Sequence, residues 1–212
     1  MPTLHYAPGA ASFCVHWLLI ELGVPFELRK VDLAAGEQRR PDYLALNPAG
    51  VVPTLVMDDG EVLVESGAIL WALAERFPDG GFLPPPGTAA RARAMEWLLQ
   101  MVNVLQPAFR IWYYPHEAAG PDAGAGAKAE AEARIGRCFD RVDAHLAAAG
   151  PFLLGERLTV ADLMLVMLCR WSRNLPKPAT EWPALRGFID RMRARPAFTA
   201  LCEAEGLTEW RA

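Results

Sequence analysis

The chain has 212 residues, 52% of them hydrophobic, and a formal net charge of −4. That is enough apolar material to bury one large core or two small ones, and the negative balance argues against a polyanion such as nucleic acid as partner. Four scattered cysteines, Cys14, Cys138, Cys169 and Cys202, include no C-x-x-C pair, so neither a disulfide framework nor a zinc site is suggested and a reducing compartment is expected.

The first element is a β-prone run, Thr3-Leu4-His5-Tyr6, stopped by Ala7-Pro8-Gly9. Ser12 opens a helix dense in apolar residues from Phe13 to Leu22, and Gly23 is placed to end it. The alternation of Phe26 to Val31 predicts a half-exposed strand. A polar stretch and a short helical piece around Tyr43–Leu46 follow. Thr54–Met57 and Val62–Val64 then flank Asp58-Asp59-Gly60-Glu61, a hairpin signature. Ser66 is read as the cap of a helix carrying Ile69, Leu70, Leu73 and Phe77 on one face. The order β-α-β-β-β-α closes an α/β domain over residues 1–78, and the proline-rich stretch 79–88 is read as a linker.

Residues 89–212 read as an all-helical domain, with helices expected at 89–112, 127–149, 159–171, 183–194 and 197–205. An Ala/Gly/Pro-rich loop is expected over 118–126. Arg134, Arg137 and Arg141 share a helical face, but the interleaved Glu130, Glu132, Asp140 and Asp143 make it a solvated one. Thr159-Val160-Ala161-Asp162 has the form of a capping box, with Leu158 and Leu163 as its staple. The apolar run Leu163–Cys169 is far short of the roughly 20 residues a membrane helix needs. No secretory signal opens the chain, so a cytoplasmic protein is expected. His5, His16, His116 and His145 lack ligand spacing, and no metal is expected.

Three sequence blocks carry a resemblance that spans nearly the whole chain: Asn47-Pro48-Ala49-Gly50-Val51-Val52-Pro53-Thr54-Leu55, Asp59-Gly60 with Val64-Glu65-Ser66, and Leu158–Asp162. With the order of elements, they resemble the glutathione transferase family. The resemblance implies a thioredoxin-like α/β N-terminal domain and an all-α C-terminal domain, with glutathione as co-substrate. It implies a cis bond at Pro53, so that Val52 offers its backbone to the cysteinyl residue of glutathione as an added strand would. Ser66, at a helix N-terminus, suits the γ-glutamyl carboxylate, and Glu65 can pair with the ammonium beside it. Gln38 and Arg39 can reach the glycyl carboxylate, or serve only as solvated loop residues.

Glutathione's thiol, like free cysteine, ionises near pH 8.5, so catalysis near neutrality needs its thiolate favoured. Ser12 is the first candidate for that task and a plain helix cap is its alternative role; Tyr6, at the end of the first strand, is the second candidate. The N-terminus is also similar to bacterial beta-class transferases, but Ala11 stands where they carry cysteine and Gln106 where they carry a histidine. Phe109, Trp112, Tyr113 and Tyr114 fall where the family forms a pocket for a hydrophobic electrophile, or else pack within the helical domain. The family also implies a homodimer, compatible with apolar Met95, Leu98, Leu99 and Val102. The expected activity is conjugation of glutathione to small hydrophobic electrophiles. The alternatives are a non-catalytic glutathione-binding or interaction module, or a glutathione-dependent disulfide or peroxide reductase or isomerase.

Overall fold

The structure, a computed structural model, describes residues 1–120 and 124–210. The chain divides into two compact units, residues 1–83 with 193–212 and residues 84–192.

The first unit holds a four-stranded sheet in the order β2-β1-β3-β4, formed by β1 (Thr3–Tyr6), β2 (Glu27–Lys30), β3 (Thr54–Val56) and β4 (Val62–Val64). β1 pairs parallel with β2 and antiparallel with β3, while β3 and β4 form the expected hairpin. The parallel pair needs a crossover, which α1 (Phe13–Leu22) supplies. Every residue of α1 from Phe13 to Leu19 is buried. Such an all-round apolar helix must be covered on several sides. The sheet and α3 (Ser66–Arg76) cover part of it, and α10 (Pro196–Ala204) returns from the far end of the chain to cover the rest. Phe198 packs edge-on against Phe13 and Trp17, with ring centroids 6.0 and 5.0 Å apart. Arg195 grips Glu21 through two hydrogen bonds of 2.6 and 2.7 Å. Gly23, at φ 64°, ends α1 in the left-handed region that glycine enters without a Cβ penalty. The short helical piece expected near Tyr43 is α2 (Pro41–Leu46).

The second unit is helical: α4 (Ala89–Gln100), α5 (Gln106–Tyr113), α6 (Pro115–Ala119), α7 (Gly124–Ala149), α8 (Val160–Trp171) and α9 (Pro183–Arg193), whose last residue belongs to the first unit. The single helix expected over 89–112 is interrupted by a π-helical turn, Met101–Leu105. Pro107 explains a break here, because it has no N–H for the carbonyl four residues earlier. α6 was not expected, and the loop expected over 118–126 is cut back from both sides, since α6 runs to Ala119 and α7 starts at Gly124; residues 121–123 lie outside the described residues. α8 is buried from Val160 to Arg170 and forms the unit's centre. The Thr159 N–H and hydroxyl both donate to Asp162 Oδ2, at 2.8 and 2.9 Å, and the Leu153 N–H donates to Oδ1 at 2.8 Å. No helix among the described residues is long and apolar enough to cross a membrane.

The expected boundaries were 1–78 for the first domain and 89–212 for the second. The structure extends the first unit to residue 83 and adds the C-terminal segment from Arg193 to it.

Candidate functional site

Sheet register gathers the N-terminal candidate residues at one end of the first unit's sheet. Thr54 is paired with His5 on one side and with Val64 on the other. Both registers end at Thr54, so Val52 and Pro53 enter the sheet at the same end where β1 runs out at Tyr6 and β4 runs out into Glu65 and Ser66. The Val52–Pro53 peptide is cis. Val52 has no hydrogen bond to its N–H or C=O among the described residues, which leaves a short free backbone edge. Ala7, Val31, Tyr43 and Val52 form a buried apolar cluster behind that edge, joined by Ala10.

Glu65 is exposed and stands at φ 68°, ψ 114°, a backbone conformation that a residue with a side chain adopts only under strain. It is Glu65, not Ser66, that caps α3; Ser66 is the first helical residue, a shift from the expected role. No hydrogen bond to the Ser66 hydroxyl is found among the described residues, and the N–H groups of this helix end sit beside it. Gln38 and Arg39 lie in a 3-10 turn, Glu37–Arg39, that comes against the same loop. Gly50 is at φ 60°, and a Cβ there would meet Arg39 Nη1 and the Gln38 carbonyl at 3.0 Å, so only glycine admits this close approach. The exposed Arg39 guanidinium has no hydrogen bond or ion pair among the described residues. Gln38 spends its Nε2 on the Leu33 carbonyl at 3.4 Å and leaves a buried Oε1 without a partner, an arrangement that does not suit an anion.

Ser12 is fully buried and has helical dihedrals, and its side chain makes no cap hydrogen bond. Its hydroxyl donates to the Ala7 carbonyl at 3.1 Å and accepts from the Ala7 N–H at 3.2 Å, closing the loop from Ala7 to Ser12. Its one proton is committed to that loop. No hydrogen bond to the Tyr6 hydroxyl is found among the described residues. Burial, and next the charge of Glu205, push the Tyr6 phenol above its usual range, so near neutrality it is a donor.

Glu205 has no counterpart among the expected residues. Its carboxylate accepts from the Gly9 N–H at 2.7 Å and lies 2.9 Å from His16 Nδ1, and both side chains are wholly buried. No short-range signal could have found it, because its partners lie 196 and 189 residues away in the chain.

The aromatic candidates of the second unit divide by burial. Phe109 is fully buried between Phe139 and Trp171, so it is a core residue there and no pocket wall. Trp112 is 7% exposed, its ring lies under Lys128 at 4.1 Å, and its Nε1 has no partner among the described residues. Tyr113 is half-buried and donates to the Trp171 carbonyl at 2.7 Å; Tyr114 is 44% exposed with the Arg110 guanidinium over its ring. Tyr113 and Tyr114 therefore keep surface that a ligand can touch. All four cysteines are buried, and burial pushes the Cys14 thiol up to about 12 and raises those of Cys138 and Cys169, which makes them poor nucleophiles.

A thioredoxin-like sheet with a cis-proline edge, carried in one chain with a helical unit, defines a two-unit protein of the thioredoxin-like class. The chain belongs to the glutathione S-transferase family. The family's N-terminal domain matches residues 11–76 and its C-terminal domain residues 125–211. A glutathione S-transferase of Xanthomonas campestris is 36% identical over 96% of this chain and 98% of its own. A solved glutathione transferase of Methylococcus capsulatus aligns with a TM-score of 0.89 at 37% identity, covering 98% of this chain and 100% of that one. A solved Sulfitobacter homologue with bound glutathione aligns at 0.90 and 29% identity, covering 98% of this chain and 99% of that one. Family names vary among relatives. A maleylacetoacetate isomerase of Pseudomonas aeruginosa is 30% identical over 91% of both chains. A disulfide-bond oxidoreductase of Escherichia coli is 32% identical over 93% of this chain and 92% of its own.

Proposed function

We propose that the protein is a glutathione transferase that joins the glutathione sulfur to small hydrophobic electrophiles. The observation that carries this reading is the free Val52 backbone edge beside cis-Pro53, at the end of the sheet where β4 runs out into Glu65 and Ser66. An extended cysteinyl residue completes such an edge with main-chain hydrogen bonds. The γ-glutamyl head then meets Ser66 and the N-terminal N–H groups of α3 with its carboxylate, and Glu65 with its ammonium. Arg39, with its guanidinium uncommitted among the described residues, takes the glycyl carboxylate.

The sulfur falls near the start of α1, where the Tyr6 hydroxyl donates to it and the helix's first N–H groups add their field. Ser12 acts one step removed, by holding the Ala7–Ser12 loop closed. The thiol proton leaves to solvent. The thiolate then attacks the electrophilic carbon, a C–S bond forms, and the leaving group departs with its electron pair. The high thiol range of Cys14 and its fellows favours this reading over a reductase that uses a protein cysteine. Pairing of two copies is supported by Leu99, 46% exposed on α4, and micromolar sedimentation tests it.

Calorimetric titration with glutathione, followed by conjugation of an activated chlorodinitrobenzene, tests the reading. Binding with turnover is expected. Absence of binding at millimolar glutathione removes it, and binding without turnover reduces the protein to a glutathione carrier.

A further inference from the structure

Behind the free edge at Val52 lies a closed hydrogen-bond network that none of the roles above employs. The Tyr43 hydroxyl donates to the Val51 carbonyl at 2.7 Å, and Asn47 Nδ2 donates to the same oxygen at 2.8 Å. Both side chains also reach Thr54 Oγ1, Tyr43 at 2.9 Å and Asn47 at 3.2 Å. Proton accounting closes without remainder. Asn47 Oδ1 accepts from the Ala49 N–H at 3.2 Å, which fixes the amide's orientation and assigns its two N–H groups to Val51 and Thr54. The phenol proton goes to Val51, and the Thr54 hydroxyl donates in turn to the phenol oxygen. Tyr43 is 6% exposed, Asn47 2% and Thr54 0%, so water does not compete for these bonds.

Peptide geometry turns this network toward the site. The bond between Val51 and Val52 is trans, as Val52–Pro53 is the one cis bond among the described residues. Across a planar trans peptide the carbonyl and the following N–H point in opposite directions. Two donors that hold the Val51 oxygen on the Tyr43 side therefore aim the Val52 N–H away from that side, where no group among the described residues meets it. The bonds to Thr54 fix the other flank, so the residues on both sides of the Val52–Pro53 pair are anchored to one buried tyrosine and one buried asparagine.

We propose that Tyr43 and Asn47 are positioning residues for the thiol ligand: they hold the 51–52 peptide plane so that the Val52 N–H is presented to the cysteinyl carbonyl of glutathione. This inference rests on the glutathione reading above. A misaimed N–H weakens a ligand hydrogen bond that the free protein never makes, so the effect falls on binding more than on folding.

The test is calorimetric titration of glutathione into the full chain and its variants, beside thermal melts. The wild type is titrated first, and its failure to bind overturns the glutathione reading and this inference with it. Given wild-type binding, Tyr43→Phe and Thr54→Val are each expected to raise the glutathione Kd about tenfold, on the scale of one lost or misdirected hydrogen bond. Thr54→Ser, which keeps the hydroxyl, is expected to bind as the wild type does. Leu73→Ala, a core truncation in the same unit, serves as the stability control and is expected to lower the melting temperature with an unchanged Kd. Wild-type Kd values in Tyr43→Phe and Thr54→Val, with lowered melting temperatures, would overturn the inference alone and leave a purely structural network. Should Tyr43→Phe fail to fold, the Thr54→Val and Thr54→Ser pair decides it.

Discussion

Ser12 and Tyr6 stand at the start of the same helix crossover, yet their hydroxyls have opposite fates. Ser12 has spent its proton on the Ala7 carbonyl inside the protein, while Tyr6 has spent none among the described residues. Tyr6→Phe is therefore expected to slow conjugation at saturating glutathione by about tenfold to a hundredfold, the range for a hydrogen bond to a charged atom. It should also raise the pH at which bound thiolate absorbs in the ultraviolet. Ser12→Ala removes two loop bonds and is expected to cost about 1–3 kcal/mol of stability, with turnover of the folded fraction changed less than about twofold. A Ser12→Ala protein that melts normally but does not turn over would return the thiol to Ser12. Ser12 was legible as a candidate because a serine before a helix is a position-specific signal, and Tyr6 only through the family resemblance. Their division was not legible, since it depends on which way a buried hydroxyl rotates. Glu65 makes the same point: its place beside Ser66 is plain in the sequence, but its positive φ, and hence its capping of α3, is set by the strand-to-helix corner. Glu65→Gln is expected to weaken glutathione about tenfold by loss of the partner for the ammonium, as titration will read.

At the scale of elements, periodicity and capping read well where a single local rule governs. The hairpin, α3 and the Thr159–Asp162 start of α8 follow their signals closely. Periodicity fails where two rules compete. The apolar pattern of 89–112 continues across the point where Pro107 breaks the hydrogen-bond ladder, and a π-helical turn absorbs the conflict. The α8 cap yields a pH test. Burial, opposed by donors from Leu153 and Thr159, pushes the Asp162 carboxyl up to about 6, above its unfolded value near 4. A folded-state pKa raised in this way means that the folded form binds more protons between those values. The stabilising contribution is fully present below about pH 4 and is lost as pH rises through about 6. Melting temperatures of the wild type, referenced to Asp162→Asn, should accordingly fall from pH 4 to pH 7. A relative rise over that range would show that the three donors dominate and that the ionised form is preferred.

For the whole molecule, the α/β-then-helical plan was legible from the order of patterns, but the return of the chain's end to its beginning was not. Nothing local marks Phe198, Arg195 or Glu205 as partners of α1, because each contact spans most of the sequence. Phe198→Ala should expose this dependence. Removing a fully buried ring costs about 3–5 kcal/mol, and the loss is expected to fall on the first unit. Amide exchange should show faster opening of α1 than of α8. Equal protection of both helices in the variant would place the C-terminal segment outside the first unit's cooperative core.

That closing segment also sets an order of events during synthesis. The first unit is assembled from residues 1–83 and 193–212, while residues 84–192 of the second are contiguous. A ribosome delivers residues 1–83 first, but Phe198 and Glu205, which cover α1 and hold Gly9, are added only after all of residues 84–192. The part of the protein that is made earliest thus completes its packing only after the second unit has been made, and its apolar first helix waits for its cover until then.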